Sequence, residues 1–425
     1  MKGGRRSYFL ILLVILLGLA LSFFCAGCDS GGDDDREDES DDDDDDSQED
    51  HLGQGKYWLQ VGEGDKAREE FLMALSQEPG IVDGLYGMVL ADMLHATDVV
   101  GVIVDYIKSL EYGGPVKSGD GDREKVDSSR GMINFMLDTV LNGLLLERCE
   151  EMVTYARTTQ GIEGASFELE GIPIIIAFEH LADLNSEFDM GELYGSESYG
   201  LILKGLVGHL LTIDLDFDLS LAFILEDIDF GEMETMEAVS LVVDILYRII
   251  TDPAFPNFLT LYPDGIELYQ QSGWELAMGL HAYLNTFAQI ASETDDQGDD
   301  VMGYLDTNGN LAWDHGEPLY IPYFEVLEGI QMSRWAIITG VIEGYRNSLL
   351  DYTEYDIDPG ASNPFRLALL NPLLETYGLP PVIPEETVLD LGSWYANPNP
   401  TVIRDTLIEL LDFLRELLPP PPALD

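Results

Sequence analysis

"METMEAVSLVVDILYRII", residues 233 to 250, decides the fold class. Met236, Val239, Val243, Leu246 and Ile250 recur at spacings of three and four, which lines one face of an α-helix. Near the other end, Ile403, Leu407, Leu410, Leu414 and Leu417 form a second stripe, with Asn399 as the expected cap and Pro400 at the first helical position. Comparable patterns run through 65–77, 81–95, 97–112, 128–158, 166–185, 193–211, 263–292, 321–352 and 362–376. The expected fold is therefore all-α, built of helical hairpins. Lys204 and His209 interrupt "GLILKGLVGHLLTI", as charges or glycines interrupt the other apolar runs of the body, so no membrane span is expected there. One stretch breaks the rhythm. In "LTIDLDFDLSLAFILEDIDF", 211 to 230, Asp214, Asp216 and Asp218 alternate with Ile213, Leu215 and Phe217, the period of a strand with one wet face. No glycine or amide follows to wrap a loop around a cation, so a strand or extended connector is expected in preference to a metal site.

The N-terminus has a basic head of Lys2, Arg5 and Arg6, an apolar run from Tyr8 to Phe24, and then "CAGC" at 25 to 28. This is the layout of an export signal, although the run is also about as long as a minimal membrane helix. Ala26, Gly27 and Cys28 resemble the lipobox of bacterial lipoproteins, with Cys25 where a leucine is more usual. That resemblance implies removal of residues 1–27, lipidation of Cys28 with fatty acyl chains such as palmitate, and a lipid-anchored protein of the bacterial cell envelope; an uncleaved helix is the alternative. Residues 29 to 50 hold fifteen acidic residues, one arginine, and no aromatic or aliphatic side chain. Such a segment buries too little apolar surface to offset its ordering entropy, and residues 28–50 are expected to form a disordered acidic tether. Asp29 resembles the inner-membrane retention signal of enteric bacteria, while acidic runs after the cysteine resemble surface-export signals of other groups; both destinations stay open.

The body, 51 to 425, carries 65 acidic against 17 basic residues, a balance of −48. That charge excludes nucleic acid and anionic headgroups as direct partners, since both need a positive surface. After processing, Cys149 in "LLERCEEM" is the single cysteine of the body, leaving no intrachain disulfide, and it reads as a buried thiol.

"GKYWLQVGEGDKAREEFLMALSQEP", 55 to 79, resembles a tetratricopeptide repeat, with Gly55, Gly62, Ala67, Phe71, Ala74 and Pro79 at the repeat's spacing. The resemblance implies two helices brought close by small residues, Phe71 filling their groove, and Pro79 ending the second helix. His51 and Gln54 stand where the repeat has its early apolar residues. A second unit opens with "VDGLYGMVLADML" and then drifts, with Gly101 where the packing alanine should recur. The resemblance covers about 50 to 112 and implies protein–protein scaffolding.

No His-Glu-x-x-His helix, Gly-x-Ser-x-Gly elbow, lysine-bearing phosphate loop or Cys-x-x-Cys pair is present. His51, His95, His180, His209, His281 and His315 are scattered, and carboxylates are too many for spacing to single out an acid/base pair. No enzymatic activity is expected.

One local motif carries chemistry. In "DTNGNLAWDHGE", 306 to 317, the side chains of Asp306, Asn308, Asn310, Asp314 and Glu317 and the carbonyl of Ala312 fall where a twelve-residue calcium loop supplies its oxygens, with Trp313 as an apolar anchor. The stretch resembles the EF-hand loop and, more closely, the "D-x-N-G-N…D-x-G-E" calcium loops of exported bacterial proteins. Leu311 replaces the turn glycine, with Gly309 beside it, and Pro318 forbids an exit helix starting there. The expectation is a structural calcium site in an isolated loop, the alternative being a polar turn held by its own side chains. Upstream, "ETDDQGDD", 293 to 300, adds Asp295, Asp296, Asp299 and Asp300; a solvated charge run is the expected reading, the alternative being an extension of the site or a second ion.

The expected organisation is a signal peptide at 1–27, the acidic tether at 28–50, tetratricopeptide-like hairpins at 51–112, a helical body at 113–292, an acidic calcium-binding loop at 293–320, C-terminal helices at 321–418 and a Pro-rich tail at 419–425. The expected role is a membrane-anchored interaction or assembly module for a protein partner. The competing role is a solute- or polymer-binding lipoprotein, taking a small molecule in a pocket lined by aromatics such as Trp335, Tyr345, Trp394 and Tyr395.

Overall fold

The computed structural model describes residues 50–111, 141, 145–176, 179–215, 235–293, 303–304, 319–320, 340–348, 365–376, 383–389, 391–396, 398–418 and 420. Helix dominates these residues, in an all-α class with few strands.

Three helices open the body: α1 (His51–Gln60), α2 (Gly64–Gln77) and α3 (Val82–Glu111). Asp50 caps α1, its carboxylate accepting from the Gly53 amide at 2.9 Å. The α1–α2 turn is a Schellman stop: Gly62 adopts φ +75°, its amide bonds the Leu59 carbonyl, and the Glu63 amide bonds that of Trp58. Phe71 of α2 is buried, and a Cβ added at Gly55 of α1 or Gly87 of α3 would lie 2.7 or 2.4 Å from its ring. Phe71 therefore fills a slot that two glycines keep open. The sequence predicts separate helices at 81–95 and 97–112. Instead α3 runs unbroken across that boundary, where no proline or turn sequence interrupts it, so the second repeat unit does not close as a hairpin.

Next come α4 (Glu147–Gln160), β1 (Phe167–Ile176) and β2 (Glu179–Phe188). The strands pair antiparallel, Phe167 opposite Phe188 and Ile176 opposite Glu179, with irregularities between Leu169 and Ile172 and between Ile174 and Ile175. This corrects the predicted helix over 166–185. Gly171 sits at φ +65°, Pro173 has no amide to continue a helix, and the β-branched run Ile174 to Ile176 favours extended backbone. The ribbon is pinned at its open end by Tyr86 of α3, which stacks on Phe167, meets Phe188 edge-on and donates to the Ala165 carbonyl at 2.7 Å. Tyr86, Leu59, Met88, Met152 and Leu193 belong to the first and larger core.

Two long helices follow, α5 (Met190–Thr212) and, after the intervening α6 (Thr235–Thr251), α7 (Ile266–Ile290). A capping box starts α5: the Gly191 amide donates to Asp189, and Glu192 accepts from the Asp189 amide. Helices α5 and α7 approach closely, because a Cβ at Gly205 would lie 2.9 Å from the Ser272 carbonyl and one at Gly279 3.0 Å from the Ile202 amide. After α5 the backbone is extended: Ile213 bridges Leu261, and Asp214 exchanges backbone hydrogen bonds with Thr260 and Leu259. Asp216 and Asp218 lie outside the described residues.

Helix α6 buries Val243 and Ile250 of the predicted stripe, and also Leu241, Ile245 and Ile249. More than one stripe is buried because α6 packs against both Phe258 in the connector after it and Leu411 of α10 (Val402–Leu417). The Met236 and Val239 side chains lie outside the described set. Helix α10 begins two residues later than Asn399 and Pro400 predict, with Thr401 at the N-cap position. The Pro400 carbonyl accepts from the Leu261 amide at 2.7 Å, which pins that residue to the α6–α7 connector, while Asn399 instead closes a turn onto the Val402 amide.

The remaining elements are short: β3 (Gly303–Tyr304) pairs with β4 (Leu319–Tyr320), β5 (Phe365–Arg366) with β6 (Val388–Leu389), and α8 (Asn371–Thr376) and α9 (Leu391–Ala396) are single-turn helices. The predicted helix over 362–376 is thus a strand, a 3₁₀ turn over Leu367–Leu370 and then α8. The β5 backbone is tied to the helical residues 340–348, the Phe365 amide donating to Ser348 at 3.2 Å. Among the described residues no helix is long and apolar enough to cross a membrane.

Candidate functional site

The lipidation candidate Cys28 and the calcium candidates Asp306, Asn308, Asn310, Ala312, Asp314 and Glu317 lie outside the described residues. What is described is the frame of the second group. β3 and β4 bracket residues 305–318, and their register, Gly303 opposite Tyr320 and Tyr304 opposite Leu319, holds the two ends of that segment side by side. Among the described residues no group of three or more His, Cys, Asp or Glu side chains is arranged to hold a metal ion.

The charged side chains that the fold does bring together were not singled out by spacing. Asp92 of α3 is fully buried, and one of its oxygens lies 3.3 Å from both Arg68 of α2 and Arg148 of α4. Arg68 also pairs with Glu151, and Arg148 reaches the exposed Asp65 at 2.8 Å, a residue that His95 contacts at 3.1 Å. The second Asp92 oxygen has no hydrogen-bond partner among the described residues. Burial pushes the Asp92 carboxyl up to about 7, against the opposing pull of Arg68 and Arg148. A hint stood in the sequence, since Asp92 is an acid inside the apolar run "YGMVLADML". Its partners, 24 and 56 positions away, are brought to it only by the fold.

Helix α4 carries a second set of ties on another side. Arg157 donates to Glu197 of α5 at 2.7 Å, and Gln160 donates to the same carboxylate at 2.9 Å. Lys204 of α5 pairs with Glu150 of α4 and, at 2.9 Å, with the buried Glu275 of α7. Burial works against the Lys204 charge, yet the hydrogen bonds to Glu150 and Glu275 outweigh it and lift its pKa above the usual lysine value. Between these ties Cys149 is buried, and burial pushes its thiol up to about 12, which leaves no reactive thiolate at neutral pH.

Of the aromatics proposed to line a pocket, Trp335 and the Trp394 side chain lie outside the described set. Tyr345 packs edge-on to Phe365, and Tyr395 stacks on Tyr269 at 4.7 Å while its hydroxyl lies 2.7 Å from His209 Nε2. These two rings are engaged with neighbouring side chains of the second core. His281 contacts Arg346 at 3.4 Å and has its pKa lowered, by burial first and then by that guanidinium.

On the outside, the α1–α2 hairpin exposes apolar side chains. Tyr57, Val61 and Met73 are 50, 46 and 55% exposed, and they make up three of the five large hydrophobic side chains exposed among the described residues. Tyr57 is edge-on to Trp58, whose ring is covered by Lys66 at 4.4 Å. No family model, curated protein or solved structure matches the chain.

Proposed function

We propose that this chain is an exported lipoprotein of the bacterial cell envelope, anchored through Cys28, whose helical body acts as a protein–protein interaction or assembly module stiffened by a structural calcium ion. The observation that carries the reading is the α1–α2 hairpin: it directly follows the acidic tether, is locked by Phe71 between Gly55 and Gly87, and exposes Tyr57, Val61 and Met73. The hairpin also supports kinship with a degenerate tetratricopeptide repeat, in which one unit packs on a long third helix. Calcium is supported by the donor set of 306–317, three carboxylates, two amides and one carbonyl, and by the strand pair that holds the segment's ends together. Asp306, Asn308, Asn310, the Ala312 carbonyl, Asp314 and Glu317 would hold the ion, which would offset repulsion among their charges. The role needs no catalytic step.

Two experiments test the proposal. Mass spectrometry of the mature N-terminus should find Cys28 as the first residue with a diacylglyceryl-sized addition; an unlipidated mature chain contradicts the anchor. Crosslinking from envelopes followed by purification should recover a discrete protein partner, and recovery of the chain alone contradicts the interaction role.

A further inference from the structure

We propose that α9 is an acid-released strap, held on the α5–α7 pair by the Tyr395 side chain and freed when His209 gains a proton. Tyr395 is buried in a notch left by a glycine: a Cβ at Gly273 of α7 would stand 2.3 Å from its ring. The ring stacks on Tyr269 at an interplanar angle of 19°, and Gln270 donates to the Tyr395 carbonyl at 2.6 Å. The key to this plug is the tautomer of His209 in α5. Its Nδ1 faces the Gly205 carbonyl, which can only accept, so Nδ1 carries the hydrogen. Nε2 is then an acceptor and takes the Tyr395 hydroxyl hydrogen at 2.7 Å.

A second proton converts Nε2 to a donor, so the bond from Tyr395 can no longer run in its present direction. It also places a charge there that burial opposes and that the Gly205 carbonyl only partly offsets. From its own helix His209 meets the Gly205 carbonyl, from α7 the Tyr269 ring, and from α9 Tyr395; among the described residues no charged side chain perturbs its titration. The ionic pair shared by α5 and α7, Lys204 with Glu275, is already mutually satisfied. Burial accordingly lowers the His209 pKa to about 4. The strap is therefore closed at neutral pH and opens as the surroundings become acidic.

Hydrogen exchange of the full mature chain at pH 7 and pH 4, read as protection factors, tests the device. The α9 amides are expected to lose about ten-fold protection at the lower pH while α3 keeps its own. His209→Gln, which preserves one donor and one acceptor without a titrating ring, should abolish the difference. Should that variant misfold, the ¹⁵N titration of the His209 ring in the native chain must share its midpoint with the loss of α9 protection. Unchanged α9 protection, equal loosening of α3, a pH response surviving in folded His209→Gln, or separate midpoints each overturn the proposal.

Discussion

Arg148 lies 3.3 Å from the buried Asp92 through one guanidinium nitrogen and 2.8 Å from the exposed Asp65 through the other, so one side chain of α4 ties α3 to α2. Removing one partner of a buried pair leaves the other charge without compensation. Arg148→Met is expected to lower the free energy of unfolding by about 3 kcal/mol, measured by urea denaturation. Arg148→Met combined with Asp92→Leu should cost less than Arg148→Met alone, because the stranded carboxylate is gone. Equal or greater loss in the double variant would show that the pair does not couple.

The same carboxyl sets a pH dependence with a definite sign. Asp92 has its folded pKa raised from 3.8 to about 7, so the folded state holds the proton more tightly than the unfolded chain. Its contribution is fully present below the unfolded value and is lost as pH rises through the folded value. His209 acts oppositely: its folded pKa is lowered from 6.5 to about 4, so it destabilises the fold as pH falls below 6.5. Above 6.5 the Asp92 effect should dominate. Between pH 6.5 and 8 the wild-type chain should lose about 1 kcal/mol of stability, and Asp92→Asn should show a flat profile there.

Phe71 is enclosed by Gly55 and Gly87, so the hairpin tolerates neither a smaller ring position nor larger neighbours. Phe71→Ala should cost about 3 to 5 kcal/mol through lost transfer energy and the cavity left behind. Gly87→Val should also destabilise, by overpacking against the ring. Circular dichroism melts would check both, and a Gly87→Val melting temperature at or above wild type would contradict the packing.

Exported calcium loops bind with dissociation constants on the order of 10⁻⁴ to 10⁻³ M. At about 10 mM free calcium, roughly ten to a hundred times that constant, binding to the folded state alone adds about 1.4 to 2.7 kcal/mol. Calcium in the millimolar range should therefore raise the melting temperature of the wild-type chain, and calorimetry should show saturable heat. Both responses should vanish in Asp306→Ala with Glu317→Ala; an unchanged response in that variant would remove the site from 306–317.

The helices were legible where apolar residues kept a period of three to four, as in α7 and α10. The β1–β2 ribbon was concealed by its apolar content, since "IIIAFEHLADL" satisfies a helical stripe, and the decisive marks were the neighbouring Gly171 and Pro173. The start of α10 followed from a contact with Leu261, far away in sequence, which no local rule contains. The Asp92 junction was unreadable for the same reason: in so acidic a chain only the fold selects which carboxylate meets Arg68 and Arg148. The packing of Phe71 against Gly55 was legible because both residues lie within one hairpin.

The central claim, that the tether-proximal hairpin is the surface by which this chain holds a partner, is tested most directly by site-specific photo-crosslinking in intact envelopes. A crosslinking residue at position 57, 61 or 73 is expected to give one discrete protein adduct, while the same residue at 248, an exposed position on α6, gives none. Absence of an adduct from the hairpin positions, or equal adducts from 248, would contradict the account.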